Sequence, residues 1–121
     1  MYMNKSRVII LGLVFSAWAL SPVSAQSIDQ AAGLALAQSQ ACMACHQVDS
    51  KRVGPPLRSI GERYATQGDN SATVRYLADK ILSGGTGAWG AVPMPAQRQV
   101  SEADALKLSE WILSLAPAKA N

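Results

Sequence analysis

"ACMACHQV", Ala41 to Val48, holds both cysteines and the only histidine of a 121-residue chain. Two cysteines three apart admit a disulfide, half a zinc site or a redox dithiol. A structural zinc site takes four ligands, normally cysteine and histidine. This chain has three such residues in total, and Cys45 and His46 are adjacent. A thioredoxin-like pair belongs to a βαβ context, with its thiol activated at a helix N-terminus. Here the pair comes late in a helical stretch and no such context is visible. A disulfide across two residues would close a tiny loop, and loop closure rewards long loops more.

Cys-x-x-Cys-His has a fourth reading, the attachment signature of a c-type haem. Two thiols three apart on one turn of helix face the same way, and each can add to a vinyl group of one porphyrin. The next residue then projects beneath the ring and offers its imidazole to the iron.

The N-terminus favours this reading. Lys5 and Arg7 precede an apolar run, Val8 to Leu20, and "SPVSA" follows with small residues at Ser24 and Ala25. Residues 1–25 read as a secretory signal peptide cleaved before Gln26, and the run is short for a spanning helix. The exported remainder, residues 26–121, is one domain. Lys5 and Arg7 leave with the signal and no acid does, which lowers the formal charge from +3 by two. Nothing supports a nucleic-acid footprint, and no stable membrane insertion is expected. Covalent haem attachment in bacteria is completed outside the cytoplasm, so the periplasm fits.

The exported segment is short of large apolar residues, with no phenylalanine. A chain this size is marginal alone, and a bound apolar disc would supply the missing centre. The pattern is all-α with about four helices. Ser27 and Gln30 form a capping box, predicting helix one from about Ile28 to the cysteines, with Ile28, Ala32, Ala35 and Leu36 inward. Leu57, Ile60 and Tyr64 mark a short second helix, with Pro56 in its first turn. Val74, Leu77, Ala78, Ile81 and Leu82 mark a third, capped by Ser71 and ended by Gly84. Ala105, Leu108, Ile112 and Leu115 mark a fourth, capped by Ser101. "GGTGAWGAVPMPAQRQV", Gly84 to Val100, shows no regular period and reads as one long loop. Loops of that length in a compact domain are usually functional or disordered.

Iron also needs a sixth ligand, and His46 exhausts the histidines. Met1 and Met3 leave with the signal peptide, and Met43 is tied to the His46 side of the ring. Met94 remains, in the long loop between Pro93 and Pro95. Pro95 biases Met94 toward an extended backbone, and a Met/His pair raises the iron's potential. With both axial positions filled, iron has no open site for a substrate. The reading is therefore an electron carrier and not an enzyme. It would take electrons from a membrane donor complex and pass them to a terminal oxidase or reductase. Lys51, Arg52 and Arg58 would rim the transfer edge or simply be solvated surface.

"CMACH", "VGPPL", "GAWGAVPMP" and "SEADALKLSEWILSL", in that order, make the exported region resemble the small soluble bacterial class I monohaem cytochromes c. The resemblance implies the cytochrome c fold wrapped around one haem c, with thioethers at Cys42 and Cys45 and axial ligands His46 and Met94. It further implies that the Pro55 carbonyl accepts the His46 Nδ1 proton and that Trp89 bonds a haem propionate. Gln97 takes the place of an asparagine that bonds near the methionine sulfur in relatives. Trp111 falls on the last helix, which the family packs against the first. A free monomeric carrier, an obligate cytochrome subunit of a larger oxidoreductase and a sensor that releases Met94 all remain open from sequence.

Overall fold

Asp29 opens the first helix, its carboxylate accepting the Ala31 N–H at 3.2 Å, which satisfies one of the orphan donors of a helix start. The computed structural model describes residues 29–67 and 70–118. The expected signal peptide and the Ser27 cap lie outside the described residues. The helices are α1 (Gln30–Ser39), α2 (Leu57–Tyr64), α3 (Asn70–Ser83) and α4 (Glu102–Ser114). The fold is mainly helical, as the apolar stripes require.

The long loop departs from the expected pattern. It contains an antiparallel hairpin, β1 (Gly85–Gly87) with β2 (Gly90–Met94), pairing Gly85 with Met94 and Gly87 with Gly90. Gly87 and Gly90 have φ of 96° and 112°, a region open to glycine and strained for other residues. They flank the two-residue turn Ala88–Trp89. Alternating side chains cannot announce a strand written Gly-Thr-Gly.

The last helix is the centre of the core. α4 packs against α3, α2 and α1 and buries Ala105, Leu108, Trp111, Ile112 and Leu113. Ser101 caps it, accepting the Asp104 N–H at 3.1 Å. α3 contributes Val74, Leu77, Ala78 and Ile81 from its expected face. α2 buries Leu57, Gly61 and Tyr64, with Pro56 just outside the helix as its cap. A Cβ on Gly61 would strike the Ile112 carbonyl, so the glycine that weakens α2 locally lets it approach α4.

α1 corrects the expected inner face. Ala32 and Ala35 are exposed and Leu36 is half-buried, while Gly33 and Ala37 are buried. Trp111 is the reason. A Cβ on Gly33 would overlap the Trp111 indole. The indole N–H donates to Gln30 Oε1 at 3.2 Å, and Gln30 Nε2 donates to Ser114 Oγ at 2.8 Å. Gly→Ala inside a helix normally stabilises by about 1 kcal/mol. Here overpacking, costing about 1–3 kcal/mol, opposes that gain and is expected to win. Gly33→Ala should lower the urea midpoint with little change in slope. An unchanged or raised midpoint would show that the two helices separate freely.

Candidate functional site: a proline-bound histidine, two free thiols and a hairpin methionine

α1 stops short of the cysteines. Ala41 has φ of 60°, the left-handed region, which costs an alanine roughly 1–2 kcal/mol. It redirects the chain into a separate 3₁₀ turn, Cys42–Ala44. Helix one, expected to run to the cysteines, thus ends at Ser39, and the cysteines lie on this turn instead. Cys45 and His46 both donate backbone N–H bonds to the Cys42 carbonyl, at 3.2 and 3.0 Å. Cys42 is half-buried, Cys45 is exposed, and no disulfide joins them. Burial pushes the Cys42 thiol above its ordinary pKa, with a backbone hydrogen bond partly opposing. That is the reverse of a redox dithiol, which needs a depressed thiol pKa.

His46 is buried, and its Nδ1 lies 2.8 Å from the Pro55 carbonyl oxygen. A carbonyl can only accept, so Nδ1 carries a proton, and in the neutral ring Nε2 is the nitrogen with a free lone pair. Local backbone bonding delivers Pro55 to this position. The N–H groups of Val53 and Gly54 both donate to the Cys45 carbonyl, at 3.2 and 2.8 Å. Leu57 and Arg58 then donate to Gln47 and Val48, at 2.9 and 3.0 Å. Those two bonds satisfy donors of the α2 N-terminus. A Cβ on Gly54 would stand 2.5 Å from His46 Cε1. Only glycine lets the loop pass so close to the ring.

Met94 ends β2 and is half-buried. Its side chain packs on the same core cluster as Cys42, Met43, Val48 and Ile60. The hairpin brings the methionine beside the end of α3, where a Cβ on Gly84 would strike the Met94 carbonyl. Gly84 has φ of 73°, so the helix stop and the close approach use one residue. Gln97 N–H donates to the Ile81 carbonyl at 3.0 Å and anchors the far side of the methionine segment.

Trp89 sits in the hairpin turn, 42% exposed. The Arg63 guanidinium lies 4.6 Å from its ring centroid, and Arg63 Nη1 donates to the Ala88 carbonyl at 2.6 Å. Sequence reasoning missed Arg63, because an exposed arginine at the end of a short helix carries no pattern. Behind it, Tyr64 and Tyr76 stand with ring centroids 5.5 Å apart. Burial, then the hydrogen bond that the Tyr64 hydroxyl gives to Tyr76, pushes the Tyr64 phenol above its usual pKa, while Arg63 and Trp89 pull it back. The folded state thus holds this proton more tightly than the unfolded chain. The associated stability is complete below the usual tyrosine value of about 10 and is lost as pH rises through the raised one. Urea midpoints measured across that range should fall less steeply in Tyr64→Phe than in the parent.

Gln97 and Arg58 each have partners within the fold. The Gln97 amide is bonded locally. Its Nε2 donates to the Pro95 carbonyl at 2.8 Å, and its Oε1 accepts from Gln99 Nε2 at 3.0 Å. The extra methylene relative to asparagine lets the side chain fold back on its own backbone. Arg58 is a strut and not a free surface charge. Its Nε lies 2.5 Å from Asp49 Oδ1, and its Nη1 donates to the Leu115 carbonyl at 2.5 Å. Lys51 and Arg52 are exposed as expected.

This donor set has a definite character. It offers one imidazole nitrogen, one thioether and two thiols outside any disulfide, with His46 buried, Met94 and Cys42 half-buried and Cys45 exposed. Among the described residues, no group of three or more His, Cys, Asp or Glu converges to hold a bare metal ion. Covalent haem suits these donors, since the porphyrin supplies the remaining iron ligands and the thiols anchor its edge.

The family model for cytochrome c matches residues 30–116. Cytochrome c-552 of Nitrosomonas europaea is 51% identical over 80 residues, covering 66% of this chain and 75% of that protein. Cytochrome c-551 of Azotobacter vinelandii is 44% identical over 82 residues, covering 68% and 95%. The crystal structure of wild-type Nitrosomonas europaea cytochrome c552 superposes with a TM-score of 0.63 at 48% identity, over 68% of this chain and 98% of that one. The matched region runs through every described element, from α1 to the end of α4. The thiol pair, the proline-bound histidine and the hairpin methionine therefore sit within a shared fold, and the chain belongs to the cytochrome c family, whose cofactor is one covalently bound haem c.

Proposed function

We propose that this cytochrome is a periplasmic one-electron carrier with His46 and Met94 as axial ligands and Cys42 and Cys45 as thioether anchors. Its partners would be a membrane donor complex and a terminal oxidase or reductase, met as a monomer. When bound, haem supplies a one-electron ferric/ferrous couple. The observation that carries the reading is the 2.8 Å bond between His46 Nδ1 and the Pro55 carbonyl. It fixes the tautomer, leaves Nε2 as the only free ring nitrogen and raises its basicity. Gly54 and the Cys45 carbonyl hold that geometry in place. The hairpin and Gly84 restrain the Met94 backbone, so its thioether need not move when the charge on a bound metal changes. Both residues thus favour transfer over substrate binding. Among the described residues no helix is long and apolar enough to cross a membrane.

The deciding experiment is an optical spectrum of protein recovered from a periplasmic fraction. A sharp reduced α-band together with an oxidised methionine–iron charge-transfer band is the expected result. Loss of haem from the polypeptide on acid–acetone extraction would end the reading.

A further inference from the structure

Gln99 donates from one nitrogen to two places. Its Nε2 lies 3.1 Å from the Gln40 carbonyl and 3.0 Å from Gln97 Oε1. A primary amide has two N–H groups, so both acceptors can be served at once. Gln97 Nε2 in turn donates to the Pro95 carbonyl at 2.8 Å. A continuous line of side-chain amides therefore runs from Pro95, next to Met94, to Gln40, the cap of α1. Gln40 stands two residues before Cys42. No backbone element joins these two segments directly at this point, since Met94 pairs with Gly85 and Gln97 N–H with Ile81.

We infer that Gln99 is a positioning residue that straps the Met94 segment to the Cys42–His46 segment and slows release of the Met94 thioether. The inference rests on Met94 being the sixth ligand. Each bond is exposed and competes with water, so a net effect of about fivefold on release is expected for losing both. The geometry also says which chemistry is required at position 99. It needs a donor at the end of a long flexible stem, not a carbonyl and not a particular charge. Lysine can supply donors at similar reach, whereas methionine matches the length and supplies none.

The test uses the ferric holoprotein and its Gln99→Met and Gln99→Lys variants, with imidazole as the entering ligand. The rate of imidazole binding at saturation reports methionine release. Gln99→Met should raise it about fivefold, Gln99→Lys should stay within about twofold of the parent, and urea midpoints should agree across all three. Exchange of the Gln97 amide hydrogen should accelerate in the methionine variant alone. Parent-like imidazole rates in Gln99→Met would overturn the inference, as would a fall in the urea midpoint that accounts for the whole increase, or a lysine variant as fast as methionine. Failure of the ligand assignment looks different. The parent itself would then lack the methionine–iron band and bind imidazole without a saturating rate.

Discussion

Replacing both anchors, Cys42→Ala with Cys45→Ala, is expected to yield a chain with no covalent haem and no cooperative unfolding transition. The packing of the protein part explains the size of this effect. Among the described residues, only Trp111 and Leu108 are large apolar side chains less than 2% exposed. α1 buries just Gly33 and Ala37, and the 3₁₀ turn buries nothing. Ordering a residue costs roughly 1–2 kcal/mol of backbone entropy, and single domains end with a margin of only about 5–15 kcal/mol. A segment around the motif that contributes so little protein burial depends on what the thiols hold. Thermal circular dichroism of the double variant should therefore show a broad, featureless change. A sharp transition near that of the holoprotein would show that the polypeptide core suffices.

Met94→Ala should open the sixth position while leaving the fold in place. The ferric charge-transfer band should disappear, carbon monoxide should bind the reduced form at neutral pH, and the potential should fall. Axial ligand identity spans about 0.8 V across haem proteins, so a drop on the order of 0.1 V is a modest expectation. The fold should persist because the Met94 backbone is held by Gly85 pairing and by the Gln97–Ile81 bond, neither of which uses the side chain. A variant that keeps the band and excludes carbon monoxide would assign the ligand elsewhere.

The elements differ in how openly the sequence declares them. α3 and α4 were legible because their apolar stripes are long and both meet a broad core, so periodicity and burial agree. The candidate ligands were named by exhaustion, since one histidine and one suitably placed methionine leave little choice, and they stand as the proposal above. The hairpin was not legible, because β1 is only Gly-Thr-Gly and β2 is exposed along all but its last residue and carries a proline, so neither strand alternates buried and exposed side chains. The inner face of α1 was misread for a related reason. Apolarity ranks Ala32, Ala35 and Leu36 above Gly33, but the indole of Trp111 needs absence of a side chain. A glycine is visible in the sequence, while the partner that demands it lies 78 positions away. Arg63 and Gln99 escaped notice because exposed polar residues acquire meaning only from their acceptors, the Ala88 and Gln40 carbonyls.

The contact between α1 and α4 has a consequence in time. The Gln30–Trp111 bond spans 81 positions of the chain. While the ribosome is still making the polypeptide, the thiols of the attachment motif emerge well before the helix that closes over α1. The motif therefore passes through a period when it is synthesised but not enclosed. The contact between the first and last helices can close only when the chain is complete, whereas the bonds that hold the Met94 backbone, Gly85 with Met94 and Ile81 with Gln97, join segments made before α4.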